Sequence, residues 1–207
     1  MANPAQKPDK KQRIIDAAIK EFAEHGYTNT STNKIIEEAG VSKGVLFYYF
    51  ENKEKLYAFL IEYVIDLLRN DVLSKVDVQN PDIFALIKTS LNTKLFTIMK
   101  YPLEAKFYAN AYTNDVPDAV KAILEKNIST SIAFTQNSNG LFDESLLRDG
   151  VDKEKVLQLV DWTCRGMIDD AIKNDDLRFN IEGYKNLTEK TDQYFDFLRK
   201  LVYKEDK

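Results

Sequence analysis

Hydrogen-bond donors are concentrated between residues 42 and 53, where the sequence reads SKGVLFYYFENK. Lys43 and Lys53 carry positive charges, and Tyr48 and Tyr49 carry phenolic hydroxyls. Such side chains donate to phosphate oxygens, and a lysine at the start of a helix can also reach a guanine edge. These residue types therefore predict contacts with a nucleic-acid backbone and groove.

Two short helices must position these donors, one over 31–39 and the other over 43–50. Gly40 is expected to supply the left-handed backbone that ends the first helix. Ser42 is expected to cap the second, its hydroxyl accepting from a backbone N–H of the first turn. Two short helices joined around a glycine form a helix-turn-helix. The outward residues of its second helix are then Lys43, Gly44, Val45, Phe47, Tyr48 and Tyr49.

The aromatic run 47–50 has a second interpretation, as the core of an ordinary helical hairpin. Because successive helical residues are separated by about 100°, four consecutive aromatic side chains cannot all face one core. Leu46 and Phe50, four residues apart, are the pair expected to pack inward. An Ala-Gly-Val-Ser turn also joins helices that bind no nucleic acid, so spacing alone leaves both interpretations open.

The whole chain is predicted to be all-α, with about nine helices, because glycine and proline are scarce and helical spacing recurs. The first helix is expected to start after Pro8 and to stop at Gly26. Beyond residue 52, helices are expected over 53–76, 82–99, 102–112, 117–136, 152–174 and 181–203, with a loop over 137–150. The predicted domains are a three-helix domain over 1–52 and a second helical domain over 53–207.

The charge distribution is compatible with a local nucleic-acid site, although the net charge is −4. Residues 1–55 carry nine basic against eight acidic side chains, and the remainder carries twenty against twenty-five. The sequence has no apolar run of membrane-spanning length and no signal-peptide block at residues 1–11. With a single cysteine, these features predict a cytoplasmic protein without a membrane partner.

Catalytic chemistry is not expected. His25 and Cys164 are the only histidine and cysteine, and the sequence offers no third group to orient a base. It contains no Cys/His metal-ligand cluster and no glycine-rich phosphate loop. We therefore expect no catalytic residue, metal or cofactor. A module that binds protein partners remains an alternative, but it would leave the 42–53 segment without a purpose.

Residues 12–56 resemble the TetR (tetracycline repressor) family of bacterial regulators. The family's pattern around the end of the first helix is matched by Phe22, Gly26, Tyr27, Thr30 and Ser31. The pattern of the helix-turn-helix is matched by Ile35, Ala39, Gly40, Val41, Ser42, Gly44, Leu46, Tyr49, Phe50, Lys53 and Leu56. Two positions depart from the pattern: Ile36 replaces a small alanine, and Phe47 replaces a tyrosine and so removes one hydroxyl.

The resemblance implies a DNA-binding transcriptional regulator, in this family usually a repressor. It assigns phosphate contacts to Ser31 (or Thr30), Tyr49 and Lys53. It assigns the reading of the groove to Lys43, Gly44, Val45 and Tyr48. Ser42 and Phe47 complete the predicted DNA-binding set. Thr30 and Ser31 also have an interpretation as N-caps of the second helix, and both roles are compatible.

The resemblance also implies that the second domain binds an effector and forms a homodimer. The last predicted helix has a heptad-like apolar seam, which suits either an intrachain bundle or a second subunit. The predicted interface consists of Val160, Cys164, Met167, Tyr184, Leu187, Thr191, Tyr194, Leu198 and Leu201. A two-fold dimer would read a palindromic operator with half-sites about one helical turn or somewhat more apart.

The effector is expected to be small and hydrophobic or aromatic, because aromatic and methionine side chains recur in the second domain. The candidate lining residues are Phe96, Met99, Phe107, Tyr108, Tyr112, Phe134, Trp162 and Met167. Each of them also suits plain core packing. Arg165 could meet an anionic group of the ligand or form a salt bridge. The helix that starts at Lys53 links the two predicted domains and is the expected lever between effector and DNA.

Overall fold

The computed structural model describes residues 9–75, 80, 82–113, 115–127, 142–173 and 181–204. Within these residues the protein is helical, with no β-strand and with one 3-10 helix at Glu144–Leu146. The α-helices are α1 (Lys10–Asn29), α2 (Thr32–Ala39), α3 (Lys43–Phe50), α4 (Lys53–Leu73), α5 (Ile83–Lys100), α6 (Pro102–Thr113), α7 (118–127), α8 (Lys153–Lys173) and α9 (Ile181–Val202). The predicted all-α class is confirmed.

The helix bounds agree with the predicted ones to within a few residues, with one informative difference. Helix α1 does not end at Gly26 but is interrupted there, because Gly26 has φ 72° and ψ 176° and a further turn continues to Asn29. The helix predicted over 117–136 is observed over 118–127, and residues 128–136 lie outside the described part of the chain. The 3-10 turn falls within the predicted loop.

The chain divides into two compact units. The first contains the described residues up to Leu67 together with those from Tyr101 to 127. The second contains Leu68–Lys100 and the described residues from 142 onward. Helix α4 thus contributes to both units. The predicted boundary between residues 52 and 53 separates functions rather than compact units, and it stays a prediction.

The first unit is organised around an aromatic cluster. Tyr57 packs edge-on against Phe22, with ring centroids 4.7 Å apart, and against Phe107 at 5.1 Å. Tyr27 joins the cluster at 5.0 Å from Tyr57. Edge-to-face pairs of this kind stabilise a core beyond the burial of area. Burial raises the pKa of Tyr57 from its ordinary value. The cluster joins α1, α4 and α6 within one core.

The second unit is held by a cluster of apolar and polar contacts at the start of α5. Phe84 packs edge-on against Phe195 at 5.4 Å and against Tyr203 at 5.3 Å. Asp82 accepts from the backbone N–H of Phe84 at 3.0 Å and from the Tyr203 hydroxyl at 3.0 Å. Arg199 of α9 pairs with the other carboxylate oxygen at 3.0 Å. The N-terminus of α5 is thereby fastened to the end of α9.

Among the described helices, none combines the length and the apolar character that a bilayer crossing requires.

Candidate nucleic-acid interface

The turn between α2 and α3 is closed by a two-bond helix-ending motif. Gly40 has φ 60° and ψ 43°, and its N–H donates to the Glu37 carbonyl oxygen at 3.2 Å. The Val41 N–H donates to the Ile36 carbonyl oxygen, also at 3.2 Å. These are the two bonds of the Schellman motif, in which a residue with positive φ reverses the chain. The predicted role of Gly40 is confirmed.

Ser42 occupies the N-cap position of α3, but its hydroxyl makes no capping hydrogen bond. The expected capping bond is therefore wrong. The Val45 N–H, one of the donors such a hydroxyl could cap, instead donates to the Ser42 carbonyl oxygen at 3.0 Å. Ser42 is exposed, so its hydroxyl faces solvent at the start of α3.

Helix α3 has one buried and one exposed side. Leu46 and Phe50 are 0% and 5% exposed, which confirms that this pair anchors the helix. On the other side Tyr48 is 83% exposed and Tyr49 is 37% exposed. Lys43 and Gly44 are also exposed. The hairpin-core interpretation therefore fails for the two tyrosines, because a core position would bury them.

Val45 and Phe47 lie between these two sides and are half-buried. The Lys43 ammonium lies 5.8 Å from the centroid of the Phe47 ring, within the range of a cation–π contact. The Phe47 ring thus contacts the ammonium group of Lys43 and offers no hydroxyl. Tyr48 and Tyr49 pack edge-on with ring centroids 5.3 Å apart, so each restrains the other on the helix surface.

Thr30 and Ser31, adjacent in sequence, have opposite environments. Thr30 is 3% exposed. Its hydroxyl contacts the carbonyl oxygens of Gly26 at 2.7 Å and Glu21 at 3.0 Å. These two contacts hold Thr30 against the end of α1. Its predicted phosphate contact is inconsistent with this burial.

Ser31 is exposed and caps α2, because its hydroxyl oxygen accepts from the Asn33 N–H at 3.3 Å. A hydroxyl that accepts in this way keeps its own hydrogen for another acceptor. Between the two residues that the sequence left open, the structure therefore makes Ser31 the one whose hydroxyl can reach an external group.

Lys53 lies at the start of α4 and is engaged within the first unit. Its ammonium donates to the Thr28 carbonyl oxygen at 3.3 Å and lies 4.6 Å from the centroid of the Tyr27 ring. Burial lowers the pKa of Lys53 from its ordinary value. Sequence reasoning assigned Lys53 to a phosphate and did not predict these contacts with the last turn of α1.

The connection from α3 to α4 is tight. Glu51 has φ 58° and ψ −52°, and across it the Asn52 N–H donates to the Phe50 carbonyl oxygen at 2.6 Å. This is a γ-turn with positive φ, which is strained for a residue that carries a Cβ. Asn52 then caps α4, its side-chain oxygen accepting from the Lys55 N–H at 2.8 Å. The turn fixes where α3 ends.

Sequence reasoning missed Lys34 and Arg13. Lys34 is exposed on α2 and, with Ser31, Asn29 and His25, lines an open cleft of about 370 Å³. Lys34 could have been found from the sequence, because it lies three residues after the predicted N-cap Ser31 and so in the first turn of α2. Arg13 contacts the α2–α3 turn from α1, and no local pattern indicates a contact over 27 residues.

The predicted effector residues of the first unit do not line a common cavity among the described residues. Phe107 is 0% exposed and belongs to the aromatic cluster, so its assignment to a cavity is corrected. The Tyr108 and Tyr112 hydroxyls are hydrogen-bonded to each other at 2.7 Å, and Asn127 donates to the Tyr108 oxygen at 2.8 Å. An open cleft of about 420 Å³ near Lys106 has mainly polar walls and includes none of the predicted residues.

In the second unit the predicted effector residues are distributed over separate environments. Phe96, Met99 and Trp162 are 64%, 50% and 61% exposed. Met167 is buried and packs with Leu187. Phe134 and the side chains of Arg165 and Tyr184 lie outside the described part of the structure.

The predicted dimer seam is largely used within the chain. Five of its members are buried: Val160, Met167, Leu187, Thr191 and Leu198. Cys164 is half-buried against the core of the second unit, and burial raises the pKa of its thiol to about 11. Tyr194 and Leu201 are 49% and 51% exposed. For the buried members the structure thus supports the intrachain alternative.

Comparison with known proteins identifies the family that the N-terminal segment matches. The family described as "Bacterial regulatory proteins, tetR family" matches residues 14–59, the segment that contains α1, α2, α3 and the start of α4. The uncharacterized HTH-type transcriptional regulator YuxN of Bacillus subtilis is 28% identical over 141 residues, which cover 64% of this chain and 46% of that protein. The chain thus spans about half the length of this relative.

Two further similarities cover more of the chain. The probable acrEF/envCD operon repressor of Escherichia coli is 24% identical over 79% of this chain and 76% of that protein. The structure of SmeT, the repressor of the Stenotrophomonas maltophilia multidrug efflux pump SmeDEF, has a TM-score of 0.64 at 17% identity, covering 96% of this chain and 92% of SmeT. The structural similarity shows a shared fold. Residues 14–59 thus match the helix-turn-helix segment of the TetR family, and the chain is similar over more of its length to transcriptional regulators that share this fold.

Proposed function

We propose that the protein is a repressor that binds a palindromic operator as a homodimer and is released by a small hydrophobic effector. The observation that carries the DNA-binding part is the two-sided character of α3. Leu46 and Phe50 hold the helix to the core, while Lys43 and Tyr48 project into solvent. A buried anchor and an exposed polar face are what a recognition helix needs to enter a major groove without losing its position.

Each exposed group of α3 has a distinct role in this proposal. Lys43 lies at the helix N-terminus, where it can reach a guanine edge or a phosphate. Gly44 has no side chain to separate the helix start from the DNA. Tyr48 and Tyr49 donate to phosphates and so set the register of the helix in the groove. Val45 and Phe47, both half-buried, support this surface and provide its apolar contacts.

Ser31 provides a second phosphate contact, at the start of α2. Its hydroxyl accepts from Asn33 and keeps a hydrogen to donate, while the helix N-terminus favours a negative charge. Lys34, exposed beside it, adds positive charge at the same helix start. The Lys53 ammonium contributes here chiefly by holding the last turn of α1, through its bond to Thr28.

The homodimer is proposed to form on the outer faces of α8 and α9. Two apolar stripes of the same i, i+3, i+7 spacing are exposed in the second unit. On α8 the stripe consists of Leu159, Trp162 and Gly166, and on α9 of Tyr194, Phe197 and Leu201. Large exposed apolar patches on a folded protein mark interaction sites. Tyr194 and Leu201 were in the predicted interface, and the other four residues replace its buried members.

Helices α8 and α9, which bear the two stripes, contact each other directly. The Thr191 hydroxyl contacts the Met167 sulfur at 3.4 Å, and Lys190 pairs with Asp170 at 2.8 Å. The residue number rises from Met167 to Asp170 along α8 while it falls from Thr191 to Lys190 along α9. The two helices therefore run antiparallel. At Gly166 an added Cβ would meet no atom of the chain within 4 Å, so this position leaves room for a close approach by a second copy.

The effector part of the proposal is supported by relatives alone. SmeT is named as the repressor of a multidrug efflux pump, and the acrEF/envCD relative as an operon repressor. A hydrophobic effector would act by binding more tightly to the dimer arrangement that does not fit DNA, since only differential affinity shifts an equilibrium. Helix α4, which contributes to both compact units, is the proposed lever.

Selection of duplexes from a random DNA pool by the full-length protein tests the function. We expect an enriched sequence with two-fold related half-sites, bound with an affinity that falls steeply as salt rises. Lys43→Ala is expected to weaken binding to that sequence by about tenfold or more. The matched control is Lys185→Ala, which removes an exposed lysine of α9 and should leave the affinity within about twofold. Failure to enrich any sequence would contradict the proposal.

A further inference from the structure

We propose that Arg13 is a positioning residue for DNA recognition, which holds the α2–α3 turn from the first helix; this rests on the DNA-binding function proposed above. Arg13 Nη1 donates to the Gly40 carbonyl oxygen at 3.4 Å. Arg13 lies on the second turn of α1, while Gly40 is the left-handed residue that ends α2. The contact therefore connects a helix outside the motif to its central turn.

The Gly40 carbonyl is available to this donor because of its backbone conformation. With φ at 60° the residue leaves the helix, so its carbonyl cannot accept from the helical ladder. The N–H groups of Val45 and Leu46, in the first turn of α3, donate to the Ser42 carbonyl oxygen rather than to Gly40. A fixed Gly40 carbonyl fixes the peptide plane that joins Gly40 to Val41, and through it the start of α3.

The close packing at this contact makes the position of the guanidinium specific. A Cβ added at Gly40 would lie 3.3 Å from Arg13 Nη1, so the guanidinium rests directly on the turn. The positive φ of Gly40 favours a glycine at this position, and the guanidinium lies directly against it. Other contacts between α1 and the motif lie elsewhere, as in the ion pair between Lys20 and Glu38.

The Arg13 Nε is buried and has no hydrogen-bond partner among the described residues. A buried donor without an acceptor costs free energy, so an apolar side chain would fill the same space at lower cost. The unpaired Nε of Arg13 therefore lowers the stability of the fold, whereas its Nη1 holds the Gly40 carbonyl oxygen. This combination indicates that Arg13 contributes to the placement of the turn rather than to the stability of the fold.

The test compares Arg13→Met with Lys20→Met in the full-length protein. Both variants remove one positive charge from α1, but only the first removes the donor to Gly40. The measurements are the affinities for the selected operator and for a random duplex of equal length, the Tm, and amide hydrogen exchange at Gly40 and Val41. We expect Arg13→Met to lower the operator-to-random affinity ratio by about tenfold. Its Tm should stay near that of the wild type, and the two amides should exchange faster.

Lys20→Met is expected to keep the affinity ratio within about twofold of the wild type. An Arg13→Met protein that folds and keeps the wild-type ratio would overturn the inference, as would an equal loss in Lys20→Met. If Arg13→Met does not fold, Arg13→Lys replaces it with the same expected loss, because the shorter lysine side chain cannot reach the Gly40 oxygen. A wild-type protein without sequence preference would contradict the proposed function instead.

Discussion

The Lys53 ammonium donates to the Thr28 carbonyl oxygen at 3.3 Å and lies 4.6 Å from the centroid of the Tyr27 ring. The start of α4 is thereby tied to the last turn of α1 in the absence of DNA. Because this contact exists in the free protein, Lys53→Met should lower the free energy of unfolding by about 1 kcal/mol. Lys43→Met, which removes an exposed lysine of α3, should change it by less than about 0.5 kcal/mol.

Denaturant unfolding of both variants in the absence of DNA provides the measurement. Equal stabilities for Lys53→Met and the wild type would show that the contact with Thr28 contributes nothing, and that Lys53 is available to a phosphate alone.

Thr30 and Ser31 should separate stability from DNA affinity. Thr30→Val keeps the shape but removes the hydroxyl that serves the Gly26 and Glu21 carbonyls, so we expect a loss of about 1–2 kcal/mol of stability. Operator affinity of the folded fraction should stay unchanged. Ser31→Ala should lose about 1 kcal/mol or less from the cap and, in addition, weaken operator binding several-fold. Calorimetry and operator titration of the two variants check this, and a reversed pattern would contradict the assignment.

The helix-turn-helix could be predicted from sequence because its signals are local. Gly40 has the positive φ that ends α2, Asn52 caps α4, and Leu46 and Phe50 share one face of a two-turn helix. Each of these depends on residues within a few positions. Prediction failed where contacts between residues distant in sequence decide the outcome. The burial of Thr30 follows from the break at Gly26 and from packing against α1, and no residue next to Thr30 indicates it.

In the second unit, the sequence predicted the helices but not which side of each helix is buried. Helix α9 has apolar residues on more than one side, so the seam through Leu187 and Leu198 looked as suitable for a partner as the stripe through Phe197. Packing against α8 and α5 decides between them, and it buries the seam. The assignment of Phe107 to a cavity was wrong for the same reason. An aromatic side chain in a core and one that lines a cavity have the same local sequence pattern.

The exposed α8 and α9 stripes predict where the dimer can be broken. Trp162→Lys places a charge at the centre of the α8 stripe, where a tryptophan is 61% exposed in the single chain. Large aromatic residues dominate interfaces, so the dimer dissociation constant should rise by about a hundredfold or more. Phe96→Lys, at a residue of similar exposure outside both stripes, should leave it unchanged. Sedimentation velocity over a concentration series distinguishes them, and an intact Trp162→Lys dimer would refute the proposed interface.

Asp71 should make the second unit sensitive to acid. Lys100, Lys75 and Thr97 hold the pKa of the Asp71 carboxyl well below its usual range, since all three donate to it. A carboxyl with a lowered folded-state pKa stabilises the protein at neutral pH, and this contribution is lost as the pH falls. Asp71→Asn should therefore lower the Tm at pH 7, and the difference from the wild type should shrink progressively below about pH 5.

Thermal unfolding between pH 3 and pH 8 gives this comparison, with Glu62→Gln as the control. Glu62 is an exposed carboxylate of the same helix. A difference between Asp71→Asn and the wild type that stays constant with pH would show that the ionised carboxylate is not what stabilises this cluster.

Operator binding by Tyr48→Ala tests the role of α3 most directly. Tyr48 is 83% exposed, so its truncation removes surface contacts and should leave the Tm within about 2 °C of the wild type. Titration with the selected operator should show a loss of affinity of about tenfold or more, whereas Phe96→Ala, another exposed aromatic, should bind as the wild type does. A folded Tyr48→Ala protein with wild-type operator affinity would contradict the proposal that the exposed face of α3 binds DNA.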